Sequence, residues 1–259
     1  MTILKSLAST FLMYSRIPMP QVEWKEENRR YSLCFFPLVG AVIGAIFLLW
    51  RYACVLLDFS MLLTGAVSVI IPIIVTGGIH LDGFCDVVDA KSSFGGSEKK
   101  LAIMSDPHIG SFASIYLSSY LLLHTAVMCE IKSFGTAAVI ALGFILSRAL
   151  SGIAAVCFKS AKREGTLQSF VKPAHRKITL SALFAVSVII AFLMTYFSLF
   201  SGISAIVGAI CCFFFYRISA YKNFGGITGD TAGWFLQICE LFIAVMALLG
   251  EKITEVITL

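Results

Sequence analysis

Charge is scarce in this chain. Asp, Glu, Lys and Arg together make up 14% of its 259 residues, against 58% hydrophobic, and a soluble domain of that length has too small an interior to hide so much apolar side chain. An ordinary soluble globule is excluded. Paired cysteines are missing too: eight Cys lie scattered without a C-x-x-C, and Cys211-Cys212 falls inside an apolar run. That pattern suits small packing residues rather than a zinc site or a disulfide framework. No Pro/Gly/Ser-rich linker or change of composition divides the sequence, so residues 1–259 read as one membrane domain. The first fifteen residues are apolar, but Arg16 and Pro18-Met-Pro20 follow with no A-x-A cleavage pattern. An interfacial helix fits better than a signal peptide.

What is present is a series of long apolar runs. Tyr31 to Trp50 is free of charge, Phe59 to Leu81 holds only His80, and Ile109 to Cys129 holds only His124. About twenty residues at 1.5 Å rise cross a hydrocarbon layer of roughly 30 Å. Ser133 to Phe158 is broken only by Arg148, and Thr231 to Gly250 only by Glu240. Ile178 to Tyr216 is charge-free for 39 residues, too long for one crossing, and is expected to turn near Ser201-Gly202. The sum predicts an all-α, polytopic integral membrane bundle of about seven transmembrane helices.

The basic residues orient it. With the amino terminus cytoplasmic, sixteen Lys and Arg fall on that side and three, Arg51, Lys132 and Lys252, on the other. This is a strong positive-inside bias. It also accounts for the net charge of +5, which suits anionic headgroups or a phosphorylated substrate and gives no support to nucleic-acid binding.

Against this background "GGIHLDGFCDVVDA", Gly77 to Ala90, stands out at the predicted cytoplasmic end of the second span. Asp82, Asp86 and Asp89 are spaced i, i+4, i+7 and project from one side of a helix. No base is interleaved to neutralise them, and carboxylates held this close repel unless a cation sits among them. Oxygen ligands without nearby paired Cys or His favour Mg²⁺ or Mn²⁺ over zinc. Mg²⁺ takes few protein carboxylates and completes its shell with water and substrate phosphate. A second stretch, "GGITGD" from Gly225 to Asp230, repeats the frame of "GGIHLD". Paired glycines at Gly77-Gly78 and Gly225-Gly226 permit close backbone approach to a bulky ligand and expose amides to an anion.

"GGIHLDGFCDVVDA" followed by "KLAIMSDPHIGSF" closely resembles the signature of the cobalamin synthase family, adenosylcobinamide-GDP ribazoletransferases. "RIPMP", "FFPLVGAVIG", "SRALSG" with "SAKREGTL", and "GGITGDTAGWFLQICEL" extend the resemblance over nearly the whole chain. Two positions depart from the family pattern: Lys162 stands where Arg is usual, and His108 where Arg is common. What the resemblance implies is attack by a ribose hydroxyl of α-ribazole, or of its 5′-phosphate, on the phosphorus of adenosylcobinamide-GDP that carries the cobinamide arm. GMP leaves and adenosylcobalamin or its phosphate forms, with Mg²⁺ and with the corrinoid as substrate rather than cofactor. The enzyme so implied is an inner-membrane protein with its active site on the cytoplasmic side.

On that basis Asp82, Asp86 and Asp89 are expected to hold the metal, with Asp230 as a fourth ligand or an orienting group. His80 or Asp89 takes the proton of the attacking hydroxyl. Lys162 and Arg163 bind phosphate or reach to lipid headgroups, Asp106 and His108 lie at the substrate or at a helix start, and Gly77, Gly78, Gly225 and Gly226 line the substrate loops. Arg148 and Glu240 each sit roughly 14 Å into the membrane. They either pair with one another or face a wet substrate cavity. Two other readings compete. CDP-alcohol phosphotransferases use D-G-x-x-A-R, whereas Asp82-Gly-Phe-Cys here leads into Asp86-Val87. An ion-coupled transporter would carry Asp82 and Asp230 near mid-membrane.

Overall fold

The computed structural model describes residues 2–162 and 164–257, and Arg163 lies outside the described residues. The helices run in order: α1 (Thr2–Tyr14), α2 (Glu26–Arg29), α3 (Ser32–Leu56), α4 (Met61–Thr76), α5 (Ile79–Ser92), α6 (Ser97–Ile103), α7 (Ser111–Glu130), α8 (Phe134–Cys157), α9 (Thr166–Val171), α10 (Arg176–Phe197), α11 (Leu199–Phe224) and α12 (Gly229–Ile257). The only bridge outside helices among the described residues is a single parallel pairing of Ser160 with Ile227.

Six helices, α3, α7, α8, α10, α11 and α12, are each long and apolar enough to cross a membrane. The second apolar run is divided between α4, of 16 residues, and α5, a pair bent by 97° that gives a seventh only when taken together. It is therefore not one straight span. Gly77 closes α4 in the left-handed conformation, φ 66°, and the Gly78 amide donates back to the Ile73 carbonyl at 3.0 Å. Such a glycine stop ends a helix and lets the chain turn at once. We take α4 as the crossing and α5 as a helix turned off its end. The long fifth run breaks as expected but slightly earlier, at Ser198 in extended backbone. Gly202 lies one turn into α11, where it lets that helix pack directly on the Met194 carbonyl of α10.

Packing follows from small residues. Gly40 and Gly44, a G-x-x-x-G on α3, face the Phe144 and Ala141 carbonyls of α8, so those backbones meet closely. This is how helices associate where lipid removes the usual hydrophobic driving force. Large apolar side chains such as Phe184, Phe192 and Tyr196 of α10 and Phe214 of α11 stay exposed, as a lipid-facing surface requires. The protein is an integral membrane helical bundle.

The two charges that interrupt the apolar runs are paired. Arg148 Nη1 lies 2.6 Å from Glu240 Oε1, with side chains 0% and 3% exposed. The same guanidinium nitrogen donates to the Phe144 carbonyl and the Ser147 hydroxyl, and that hydroxyl donates to Glu240. His124 is likewise a bonded interior group: it meets the Tyr120 hydroxyl, which donates to Gln237 at 2.8 Å. The ion pair ties α8 to α12. Replacing Arg148 by Met strands a buried carboxylate and is expected to cost about 3–5 kcal/mol. Adding Glu240→Gln should recover more than half of the lost thermal midpoint in detergent; losses that simply add in the double variant would show that the pair does not couple.

Candidate functional site

The site is built where α5 and α12 cross at their first turns. A Cβ on Gly83 would come within 2.8 Å of the Asp230 carbonyl, and a Cβ on Gly233 within 3.1 Å of the His80 carbonyl. The contact is reciprocal, one glycine from each helix. It places Asp82, in the first turn of α5, beside Asp230, in the first turn of α12. Helix N-termini carry partial positive charge and tolerate acids there.

The start of α12 is fixed locally. Thr228 and Thr231 cap each other: the Thr228 amide donates to Thr231 Oγ1 at 2.8 Å and the Thr231 amide to Thr228 Oγ1 at 3.1 Å, the reciprocal arrangement of a capping box. The loop after α8 is clamped to this start, since Ala161 N donates to the Ile227 carbonyl and Ile227 N to the Lys159 carbonyl, both at 2.9 Å. Lys162 thus enters the field of Asp86 and Asp230, while its ammonium donates to Ser105 Oγ at 3.3 Å.

Asp86 shows the electrostatic result. Burial, then the neighbouring Asp82, Asp230 and Asp89, push its carboxyl from the ordinary 3.8 up to about 7, with Lys162 opposing. Asp82, Asp86 and Asp230 are the carboxylates that this crossing gathers. Asp89 is engaged elsewhere: its two oxygens accept the Gly110 amide at 2.7 Å and the Ala113 amide at 2.9 Å, capping α7. Among the described residues no three His, Cys, Asp or Glu side chains form a ready-made metal cage. The donor set fits an ion that keeps waters and shares substrate phosphate, as Mg²⁺ does.

The other expected site residues fall in three places. His80 is 5% exposed, edge-on to Phe36, with both ring nitrogens lacking a hydrogen-bond partner. Asp106 and His108 bond one another at 2.7 Å on an exposed loop. The Asp106 carboxylate also accepts the His108 amide, and these bonds hold its carboxyl below its ordinary value. It caps a turn rather than a helix, because α7 starts later, at Ser111. Arg148, fully buried behind the site with Glu240, borders a void of about 10 Å³, room for one water.

The glycines separate as well. Gly78 and Gly225 have positive φ and open space where a Cβ would stand, whereas Gly77 is covered by the Arg16 side chain. Gly226 is pressed against the chain's own backbone at Lys159–Ala161. The neighbour it admits is the clamping loop, not a ligand.

Three cavities adjoin Asp82 and Asp230. One of about 250 Å³ is bordered by Asp82, Asp230 and His80, a polar one of about 260 Å³ by Asp230 and Lys162, and an open one of about 570 Å³ by Asp82, Gly78 and Arg16. Arg16 carried no assigned role in the sequence reading. Its signal was "RIPMP", and its position is fixed by the Arg16 amide donating to the Val75 carbonyl at 2.8 Å.

A membrane-embedded helical bundle that gathers acids and a lysine at one end, where cavities of different polarity meet, defines a polytopic membrane transferase. The chain belongs to the cobalamin-5-phosphate synthase family, whose model matches residues 6–248. It is 43% identical to the adenosylcobinamide-GDP ribazoletransferase of Lachnoclostridium phytofermentans, over 96% of this chain and 95% of that one. The protein of the same name from Clostridium perfringens is 31% identical over 91% and 94%, and that of Chlorobium phaeovibrioides 35% over 85% and 88%. No solved structure gives a significant match.

Two outcomes follow from this geometry. Gly83→Val should collapse activity and lower the thermal midpoint, because bulk there meets Asp230 backbone rather than a side chain that can swing away; a fully active Gly83→Val protein would show that the crossing is dispensable. The second concerns pH. The folded protein holds the Asp86 proton to higher pH than the unfolded chain, so its ionisation costs stability as pH rises from about 4 through about 7. Asp86→Asn should therefore raise the midpoint at pH 8 more than at pH 5 when no divalent cation is added; equal shifts at both would overturn this account.

Proposed function

We propose that the protein transfers the adenosylcobinamide-phosphate moiety of adenosylcobinamide-GDP to the ribose hydroxyl of α-ribazole or its 5′-phosphate, releasing GMP. The observation that carries the proposal is the crossing of α5 and α12, which sets Asp82 and Asp230 on a cavity that shares Asp82 with a second and Asp230 with a third, with Asp86 in their electrostatic field. Family membership and the names of the relatives support the same reaction.

In this reading Asp82, Asp86 and Asp230 hold Mg²⁺, or Mn²⁺ in its place. When bound, the ion neutralises charge on the phosphoanhydride and its leaving group. Lys162 adds a fixed positive charge beside Asp230 for phosphate oxygens. Of the two groups considered for the hydroxyl's proton, Asp89 is committed to α7, whereas His80 borders a cavity shared with Asp82 and Asp230 and has both nitrogens unpartnered. His80 is the better placed to orient the attacking hydroxyl by a hydrogen bond; burial, with Arg148 adding, lowers its imidazole pKa to about 3, so it does not hold the proton at neutral pH. The basic end of the bundle, which carries the site, faces the cytoplasm across the inner membrane, in keeping with the positive-inside bias.

The direct test is to incubate the detergent-purified protein with adenosylcobinamide-GDP, α-ribazole and Mg²⁺ and to measure GMP and cobalamin. Both should form in equal amounts; absence of both beside an active family member would overturn the proposal. Asp82→Asn and Asp230→Asn should each lower turnover by on the order of a hundredfold with little change in thermal midpoint. Asp89→Asn, which loses an acceptor at the α7 start, should lower the midpoint as well.

A further inference from the structure

The three cavities at the carboxylates differ in chemistry, and so do the three groups that meet at the reacting phosphorus. The attacking nucleoside carries an apolar bicyclic base, the leaving nucleotide a base rich in hydrogen-bonding groups, and the cobinamide arm a macrocycle far larger than either.

The cavity of about 250 Å³ lies between α1, α3, α5, α8, α9 and α12. Its wall is largely apolar, with Met13, Leu33, Phe36 and Leu236 among its lining residues, yet Asp82, Asp230 and His80 also border it. A guanine there would leave several donors and acceptors unmatched, at a cost for each. A benzimidazole exposes a hydrocarbon ring and one unsaturated nitrogen, which asks little of such a wall. The size agrees: at about 250 Å³ it lies just below the roughly 300–1,000 Å³ of drug-sized ligand sites, suited to a bicycle with its ribose and far too small for a corrin.

The second cavity is polar. Ser160, Lys162, Glu164, Gln168 and Thr228 line it, and it shares Thr166, Leu167, Gly229 and Asp230 with the first. Those side chains offer the donors and acceptors that a guanine and a phosphate need. The third, beside Gly78 and Arg16, is the most open of the three and leaves a macrocycle room to extend outward.

We infer that the apolar cavity walled by α3, α8 and α12 and capped by α1 is the binding site for the acceptor's base, an apolar benzimidazole-type nucleoside, and that the Lys162 cavity takes the departing guanosine phosphate. The inference rests on the transferase reading above. The attacking hydroxyl then enters from the His80 side and GMP leaves past Lys162, with the shared Asp230 between them.

The test fills the cavity. Ala232, on its α12 wall, is replaced by Leu, and KM is measured separately for α-ribazole and for adenosylcobinamide-GDP. Ala232→Leu should raise the α-ribazole KM at least tenfold and leave the other within twofold. Calorimetric titration of α-ribazole into the detergent-purified protein should show the same loss of affinity without turnover. A reverse variant guards against misfolding: Leu167→Ala, which widens the cavity, should shift preference towards nucleosides of bulkier bicyclic bases. A rise confined to the adenosylcobinamide-GDP KM, or no change in either KM, would overturn the assignment. If the wild type binds α-ribazole but makes no product, the transferase reading fails while the titrations of both variants still decide where the nucleoside sits.

Discussion

Everything at this site depends on how closely two helix backbones approach. Gly83 and Gly233 each remove the side chain that would hold α5 and α12 apart, and the partner surface is backbone in both cases. Backbone cannot rotate out of the way as a side chain can. The consequence is chemical: carboxylates from sequence positions nearly 150 residues apart, Asp82 and Asp230, come within one electrostatic neighbourhood. Asp86 registers the cost, its carboxyl lifted well above the ordinary range by burial and by its acidic neighbours. Lys162 offsets only part of this repulsion; an arrangement that leaves the rest standing is what a cation-assisted phosphate reaction requires.

The bundle beneath holds this arrangement in place. α8 meets α3 through Gly40 and Gly44, and meets α12 through the Arg148–Glu240 pair. Its end then leads into the loop whose Lys159 and Ala161 bond to Ile227. One helix thus connects the interior ion pair to the lysine of the site. An ion pair 0% and 3% exposed contributes little to stability relative to apolar packing, but it defines a register, because either charge left alone in an apolar interior is costly. Fixing α8 against α12 fixes Lys162 relative to Asp230.

Much of this was legible in the sequence, and what was not has a common cause. The crossings followed from run length, and the interior ion pair from two charges at matching depth, because the bilayer imposes a one-dimensional rule. The repeated G-G-I frame marked two helix breaks, and Gly77 and Gly225 end α4 and α11 in the same left-handed conformation. Helical periodicity correctly put Asp82, Asp86 and Asp89 on one side, yet it could not foresee that Asp89 would meet the first amides of α7. Gly226 went astray for the same reason. A glycine signals that something comes close, and only the tertiary structure reveals that here it is the backbone at Lys159–Ala161. Arg16 had no role because its partner, Gly77, is some sixty residues away in the chain.

The amino-terminal helix walls two of the three cavities. An apolar first segment reads as an interfacial anchor, but the buried face of α1 includes the hydroxyl residues Ser6, Ser9 and Thr10. Thr10 donates to the Ser32 carbonyl at 2.8 Å, Ser32 Oγ to the Ser6 carbonyl at 3.1 Å, and the Tyr31 amide to Ser6 Oγ at 3.3 Å. Directional bonds of this kind set an angle, which apolar contact with lipid does not. They hold α1 against the start of α3 and bring Met13 and Tyr14 to the apolar cavity, while Tyr14 packs on Phe36 at 4.4 Å between ring centres. Arg16, two residues further on, reaches the open cavity on the other side of Asp82. A short segment that could have served only to touch the membrane instead separates an apolar compartment from an open one, and the carboxylate they share, Asp82, lies between two environments of different polarity.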